Sequence, residues 1–188
     1  MKNITVLVSG SGSNLQRIID CIESNEIENA QINLVLADRD CYGLERAKNH
    51  NIPTLLIKRG KDFNQQLLES ISDDTDLIVL AGFLSIVDSN FCNKWENKII
   101  NIHPALLPKF GGKGMWGMHV HQAVVDAKEK RSGATVHYVT SGIDEGEIIL
   151  QGEFDIDEND TAEDLARKVH LIEYQIYPKA INIALKNI

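Results

Sequence analysis

The chain has 188 residues, 43% of them apolar, and a formal net charge of -8. That is enough for one domain with a sizeable core, and the acidity speaks against a non-specific nucleic-acid binder while leaving room for a local phosphate pocket. No apolar run is long enough to cross a bilayer, and the three cysteines, with no CxxC spacing, are expected as reduced thiols of a cytoplasmic protein, not as a disulfide framework or a zinc site.

Met1-Lys2-Asn3 leads straight into a strand-like segment, without the shape of a signal peptide. Ile4 to Val8 is nearly continuous apolar and β-branched, as a buried parallel strand should be. It runs into Ser9-Gly10-Ser11-Gly12-Ser13-Asn14. Leu15, Ile18, Ile19 and Ile22 then fall at helical spacing. The glycine-rich turn therefore joins a first strand to a first helix. Backbone N–H groups in such a turn point at an anion, helped by the positive end of the helix dipole. The dinucleotide fingerprint is excluded, since Leu15 stands where a third glycine or alanine belongs. No Gly-Lys-Ser/Thr follows, which excludes a Walker A loop. The plain alternative is a tight structural turn.

Strands and helices go on alternating. Ile32–Ala37 and Pro53–Ile57 read as strands, with a short helix over Tyr42–His50 between them. Lys61–Ile71 carries Leu67, Leu68 and Ile71 on one helical face. Leu77–Ala81 is the next buried strand, and a short helix lies around Asp88–Lys94. This alternation predicts a Rossmann-like α/β fold: an open, mostly parallel twisted sheet with helices on both faces, in a single domain over residues 1–188.

Ile99-Ile100-Asn101-Ile102-His103 reads as a strand buried on both faces. Pro104 and Pro108 stop it near His103. Residues two apart in a strand share a face, so Asn101 and His103 stand together at the end of a core strand. Open α/β sheets bind ligands at such ends. The bland alternative is a pair of satisfied polar residues. Lys109–Met118, with four glycines, is either a lid or a passive insertion. His119 and His121 then open a helix. No Cys, His or Glu cluster supports a metal there, and capping or substrate contact is the better reading.

Gly133–Val139 and Ile148–Phe154 are strands joined by a short turn, hence an antiparallel edge. Asp160 and Glu163 resemble a capping box. Leu165, Val169, Ile172 and Ile176 mark the buried face of a last long helix, which Pro178 is expected to kink or restart. Glu173 borders that face, either reaching inward or solvated.

Taken together these segments resemble the folate-dependent formyltransferases. The likeness rests on Val8–Gln16, Gly43–Ala47, Leu80–Phe83, Asn101–Lys109, His119 with His121, Val136–Thr140, Asp144 and Ile176–Pro178. The Asn-x-His-Pro-x-Leu-Leu-Pro run carries the family, and the Ser-Gly-x-Gly-Ser-Asn turn points to its glycinamide ribonucleotide branch. The resemblance implies the formyltransferase fold and 10-formyltetrahydrofolate as formyl donor, with no metal. Its partners would be small molecules, with no nucleic acid or membrane, in a monomer or weak homodimer. Asn101, His103 and Asp144 would be catalytic. Gly12, Ser13 and Asn14, with His170, Leu171, Ile172 and Glu173, would hold the ribonucleotide. Leu84, Ser85, Ile86, Val87, Asn101, Thr140, Ser141, Gly142, Ile143 and Asp144 would line the folate site. Asp144 is expected to raise the pKa of His103.

Three departures accompany the likeness. Ser85 stands where well-known bacterial members have an arginine. Their folate-tail arginine has no clear match, Arg59 being nearest. The glycine-rich loop is longer. Rival readings are a formyltetrahydrofolate deformylase, expected with an added N-terminal domain, and a methionyl-tRNA formyltransferase, expected with an added C-terminal one. A non-catalytic nucleotide-binding module is a third.

Overall fold

A computed structural model describes the whole chain, Met1–Ile188. In chain order the elements are β1 (Lys2–Val8), α1 (Ser13–Glu23), β2 (Ala30–Ala37), α2 (Tyr42–Asn49), β3 (Thr54–Leu56), α3 (Phe63–Ser70) and β4 (Leu77–Leu80). There follow α4 (Ser89–Lys94), β5 (Ile99–His103), α5 (Met118–Asp126), β6 (Arg131–Tyr138), β7 (Ile148–Asp155) and α6 (Ala162–Lys186). The seven strands form one sheet in the order β3-β2-β1-β4-β5-β6-β7. β1 to β5 pair in parallel, while β6 runs against both β5 and β7. The mixed edge expected from the short turn is present, and it includes the β5–β6 pairing.

Alternation along the strands sorts side chains onto two faces. Val6, Val8, Val79, Ile100 and Val136 enter the larger core under α1, α2 and α6. Leu7, Ile78 and Ile99 enter the smaller one under α3 and α4. Strand order reverses between β1 and β4, which makes the carboxyl ends of these neighbours the crevice of the sheet. The Ser9–Asn14 turn leaves β1 at that point. Ser9 Oγ accepts the Leu84 N–H at 2.8 Å and so ties the two strand ends together.

Two local expectations are corrected. Thr161, not Asp160, caps α6: its Oγ1 accepts the Asp164 N–H, and Asp164 accepts the Thr161 N–H at 2.9 Å. Asp160 is engaged elsewhere, by Lys168 at 2.7 Å and the Asp157 N–H at 2.9 Å. Ile71, expected on the α3 face, is an extended residue just past the helix.

Pro178 does not restart α6, which runs for 25 residues across it. A proline removes one N–H and costs about 3 kcal/mol in a helix interior. Here the deprived acceptor is the carbonyl of Tyr174, four residues earlier. Arg17 Nε from α1 donates to that carbonyl at 3.1 Å. Glu26 aims the guanidinium by accepting from Nη2 at 2.9 and 3.1 Å. Burial of Ile176, Tyr177, Ile181 and Leu185, each worth roughly 1.5–3 kcal/mol, outweighs the remaining penalty. We expect Arg17→Met to lower stability by about 1–3 kcal/mol, because the Tyr174 carbonyl loses its donor. In a Pro178→Ala background the backbone N–H returns and the same change should cost clearly less. Denaturant unfolding of the four proteins measures this; equal losses in both backgrounds would mean that Arg17 acts only through Glu26.

Candidate active site

β5 presents Asn101 and His103 on one face, with Ile100 and Ile102 on the other in the larger core. His103 is only 4% exposed. The antiparallel partner sets their neighbours: Asn101 lies opposite His137, and His103 opposite Thr135. Cross-strand pairs share a face. Thr135 Oγ1 donates to the Ala105 carbonyl at 2.7 Å and accepts the Leu107 N–H at 3.0 Å. The proline-bounded turn after His103 is thereby pinned to β6, and it sends the chain back over the histidine. There His103 Nε2 donates to the Phe110 carbonyl at 2.7 Å. The passage is close: a Cβ on Gly111 would come within 2.5 Å of Leu107 Cδ2 and 3.3 Å of Asp144 Cβ, so a side chain there would push Leu107 aside.

Asp144 reaches the same place from the loop between β6 and β7. Its Oδ2 accepts the Gly112 N–H at 3.0 Å and lies 3.5 Å from His103 Nδ1. Its Oδ1 lies 3.6 Å from His137 Nε2. The structure thus brings Asn101, His103 and Asp144 together and adds His137. His137 was not singled out in the sequence; the signal lay in the strand period, which places it opposite Asn101 once the register is fixed.

Electrostatics correct one expectation. Burial pulls the His103 pKa below the ordinary imidazole value. The Asp144 charge does push upward, as expected, and so does the Phe110 carbonyl, but burial prevails. For Asp144, burial works to raise the pKa, but its neighbours, the His103 charge and the Gly112 N–H among them, outweigh it and hold the carboxyl below its usual range. With Nε2–H committed to Phe110, a second proton on His103 can only sit on Nδ1, facing Asp144.

The glycine-rich turn forms a second centre. The first helical bond of α1 runs from Gln16 N to Gly12 O at 2.9 Å, so the N–H groups of Ser13, Asn14 and Leu15 have no helical acceptor. Gly12 has φ +70°, and a Cβ there would meet the Gly43 backbone at 2.7 Å. Its glycine is therefore required by packing on α2. Arg46 of α2, absent from the expected site, donates to the Ser11 carbonyl at 2.8 Å and brings a cation to the turn. Asn14 Nδ2 donates to Glu173 Oε2 at 3.0 Å, and His170 Nδ1 lies 3.1 Å from the same oxygen. Glu173 reaches inward. Leu171 is 61% exposed and Ile172 packs over Gly152, so these two side chains lie off the Glu173 face of the helix. Asn14 Oδ1 and His121 Nδ1 are buried with no hydrogen-bond partner.

A family model described as formyl transferase matches residues 2–181. The chain belongs to the formyl transferase family. It is 40% identical over 189 residues to the phosphoribosylglycinamide formyltransferase of Haemophilus influenzae, covering 96% of this chain and 86% of that protein. It is 38% identical to the trifunctional purine biosynthetic protein adenosine-3 of Chironomus tentans, covering 97% of this chain but only 14% of that protein. The crystal structure of glycinamide ribonucleotide transformylase 1 from Symbiobacterium toebii superposes with a TM-score of 0.91 at 38% identity, covering 100% of this chain and 89% of that one.

Within this family frame, the residues expected at the folate site divide by exposure. Leu84 (47%), Ile86 (69%) and Ile143 (39%) offer apolar surface to solvent. Val87 is buried in the smaller core. Thr140 Oγ1 accepts the Gly142 N–H at 3.3 Å and shapes the turn that carries Ser141. Ser85 donates to the fully buried Asp38 carboxylate at 2.6 Å. Arg59 meets both, at 2.9 Å from Ser85 Oγ and 2.8 Å from Asp38 Oδ2. The arginine nearest in sequence thus stands beside the serine that replaces one. No group of three or more His, Cys, Asp or Glu side chains is placed to hold a metal ion.

The charge relation between His103 and Asp144 is open to measurement. Asp144→Asn removes the main group that pushes the His103 pKa up, so the pKa should fall further below the ordinary value. Asn101→Ala should leave it nearly unchanged. An NMR titration of the His103 ring in the three proteins decides, and an unmoved pKa in Asp144→Asn would refute the assignment.

Proposed function

We infer that Asn101, His103 and Asp144 carry the transfer of a formyl group from 10-formyltetrahydrofolate to the amine of N1-(5-phospho-D-ribosyl)glycinamide, a step of de novo purine synthesis. One observation supports this reading above the others. The trio stands together at the carboxyl end of β5, with His103 Nδ1 and Asp144 Oδ2 3.5 Å apart; Asn14 and Glu173 bond to each other at the glycine-rich turn, and Leu84 and Ile86 leave apolar surface exposed. The phosphate rests on the free N–H groups of Ser13 and Asn14 beside Arg46, and the ribose meets Glu173. The folate lies against Leu84, Ile86 and the Thr140–Asp144 loop.

The amine lone pair attacks the formyl carbon. The formyl oxygen gains negative charge, and the attacking nitrogen gains positive charge. An N–H of Asn101 stabilises the oxygen. The His103 ring, held by Phe110 at Nε2, turns Nδ1 toward Asp144, which stabilises a proton there. The nitrogen then loses a proton to water bound at Asp144. The bond from the formyl carbon to the folate nitrogen breaks, and that nitrogen takes up a proton. Tetrahydrofolate and the formylated amide leave, with atoms and charge balanced.

Residues 1–188 act as a single domain, since one sheet runs through the whole chain. The cytoplasm suits three free cysteines, two of them buried. No helix is long and apolar enough to cross a membrane. Small molecules are the partners, and a net charge of -8 disfavours nucleic acid. A monomer or weak homodimer is the expected state.

A deformylase would use water as acceptor and would not need the turn at Ser13 or Glu173. Folate product formation should therefore depend on the ribonucleotide, and turnover without it would favour the deformylase. Asn101→Ala should lower kcat by roughly 10²–10³-fold. Glu173→Gln should raise KM for the ribonucleotide about tenfold, in line with the loss of one charged hydrogen bond, and leave the folate KM nearly unchanged. Equal effects on both KM values would place Glu173 in the fold and not in the ribonucleotide site.

A further inference from the structure

We propose that His137 is a positioning residue for the reaction: its Nε2 accepts one amide N–H of Asn101 and so turns the other toward the formyl oxygen. This rests on the role given to Asn101 above. His137 is buried at 2% exposure and faces Asn101 across the β5–β6 pairing. Its Nδ1 lies 2.8 Å from the Tyr138 carbonyl, which can only accept, so Nδ1 carries a hydrogen. In the neutral ring Nε2 is then a lone pair. Two groups compete for it. Asn101 Nδ2, a donor, lies at 3.3 Å. Asp144 Oδ1, an acceptor, lies at 3.6 Å, beyond hydrogen-bond length. A lone pair pairs with the donor.

The consequence falls on Asn101. The two ends of an amide have nearly the same shape, and no other protein group bonds this one. Left unguided, it can turn its oxygen toward the formyl oxygen, where developing charge would repel it. It can also swing its N–H groups to the ionised Asp144 beside it. A fixed acceptor at His137 Nε2 removes both alternatives. One N–H is engaged behind the amide, and the other is pre-aimed at the place where charge develops. The Tyr138 carbonyl serves this indirectly, by fixing the tautomer of His137.

The test compares His137→Phe and His137→Gln, each alone and with Asn101→Ala, in the full-length enzyme with both substrates. His137→Phe should lower kcat about tenfold, the scale of a misaimed catalytic group, with both KM values nearly unchanged. His137→Gln keeps an acceptor oxygen and should recover most of the loss. In the Asn101→Ala background, His137→Phe should have no further effect. The His103 pKa should move far less in the His137 variants than in Asp144→Asn, and in the opposite direction, upward. If His137→Phe folds poorly, His137→Leu gives the same readings. An undiminished loss in the Asn101→Ala background, or a His103 pKa displaced as far as in Asp144→Asn, would mean that His137 works through Asp144 or the fold, and would overturn the proposal. Near-full turnover in Asn101→Ala itself would instead remove the role of Asn101, and the proposal with it.

Discussion

The placing of Asn101, His103 and His137 against one another depends on the register between β5 and β6. Because side chains alternate with period two, a slip of one residue would turn every side chain of β6 to the other face. His137 would then enter the larger core, and Val136, now buried there, would face Asn101. The register is held from both sides. Ile100, Ile102, Ala134 and Val136 all lie in that core. Thr135, opposite His103, bonds the Ala105 carbonyl and the Leu107 N–H of the turn that follows β5. A single threonine thus fixes the strand pairing and the path of the chain that returns over His103.

That returning chain answers an electrostatic problem. An imidazole and a carboxylate set this deep lose most of their hydration, and each needs partners in compensation. The loop supplies them: the Phe110 carbonyl for His103 and the Gly112 N–H for Asp144. It does so at a backbone penalty. Phe110 and Asp144 have φ of 56° and 58°, in the left-handed region that side chains disfavour by about 1 kcal/mol or more. Both strained residues touch His103, and their strain is held in place by the hydrogen bonds it makes possible.

How far the sequence reveals this follows from the range of the forces. The apolar runs of β1, β4 and β5 and the face shared by Asn101 and His103 follow from local pattern, and so does the antiparallel edge. Pairings across long stretches of chain do not. Pro178 reads as a kink or restart because its remedy, Arg17, lies on another helix. His137 reads as one more strand residue until β6 is laid against β5. The downward pKa of His103 needs its burial, whereas the family resemblance supplies only the charged neighbour. Gly12 reads as a ligand-facing glycine, although the Gly43 backbone already accounts for it.

α1 and α6 show how the same physics ties the glycine-rich turn to the sheet. Asn14 and Arg17 stand one turn apart on α1. They bond to Glu173 and to the Tyr174 carbonyl, successive residues of α6, at 3.0 and 3.1 Å. One helical turn beyond Glu173, the Tyr177 hydroxyl donates to the Leu80 carbonyl at the end of β4, at 2.7 Å. Glu173 is therefore positioned from α1, from its own helix and from the strand that leads to Leu84. Pro178 follows directly. By taking away one N–H it leaves a carbonyl free for α1 to claim. The local penalty in α6 thus becomes a cross-link between the helix that follows the glycine-rich turn and the helix that carries Glu173.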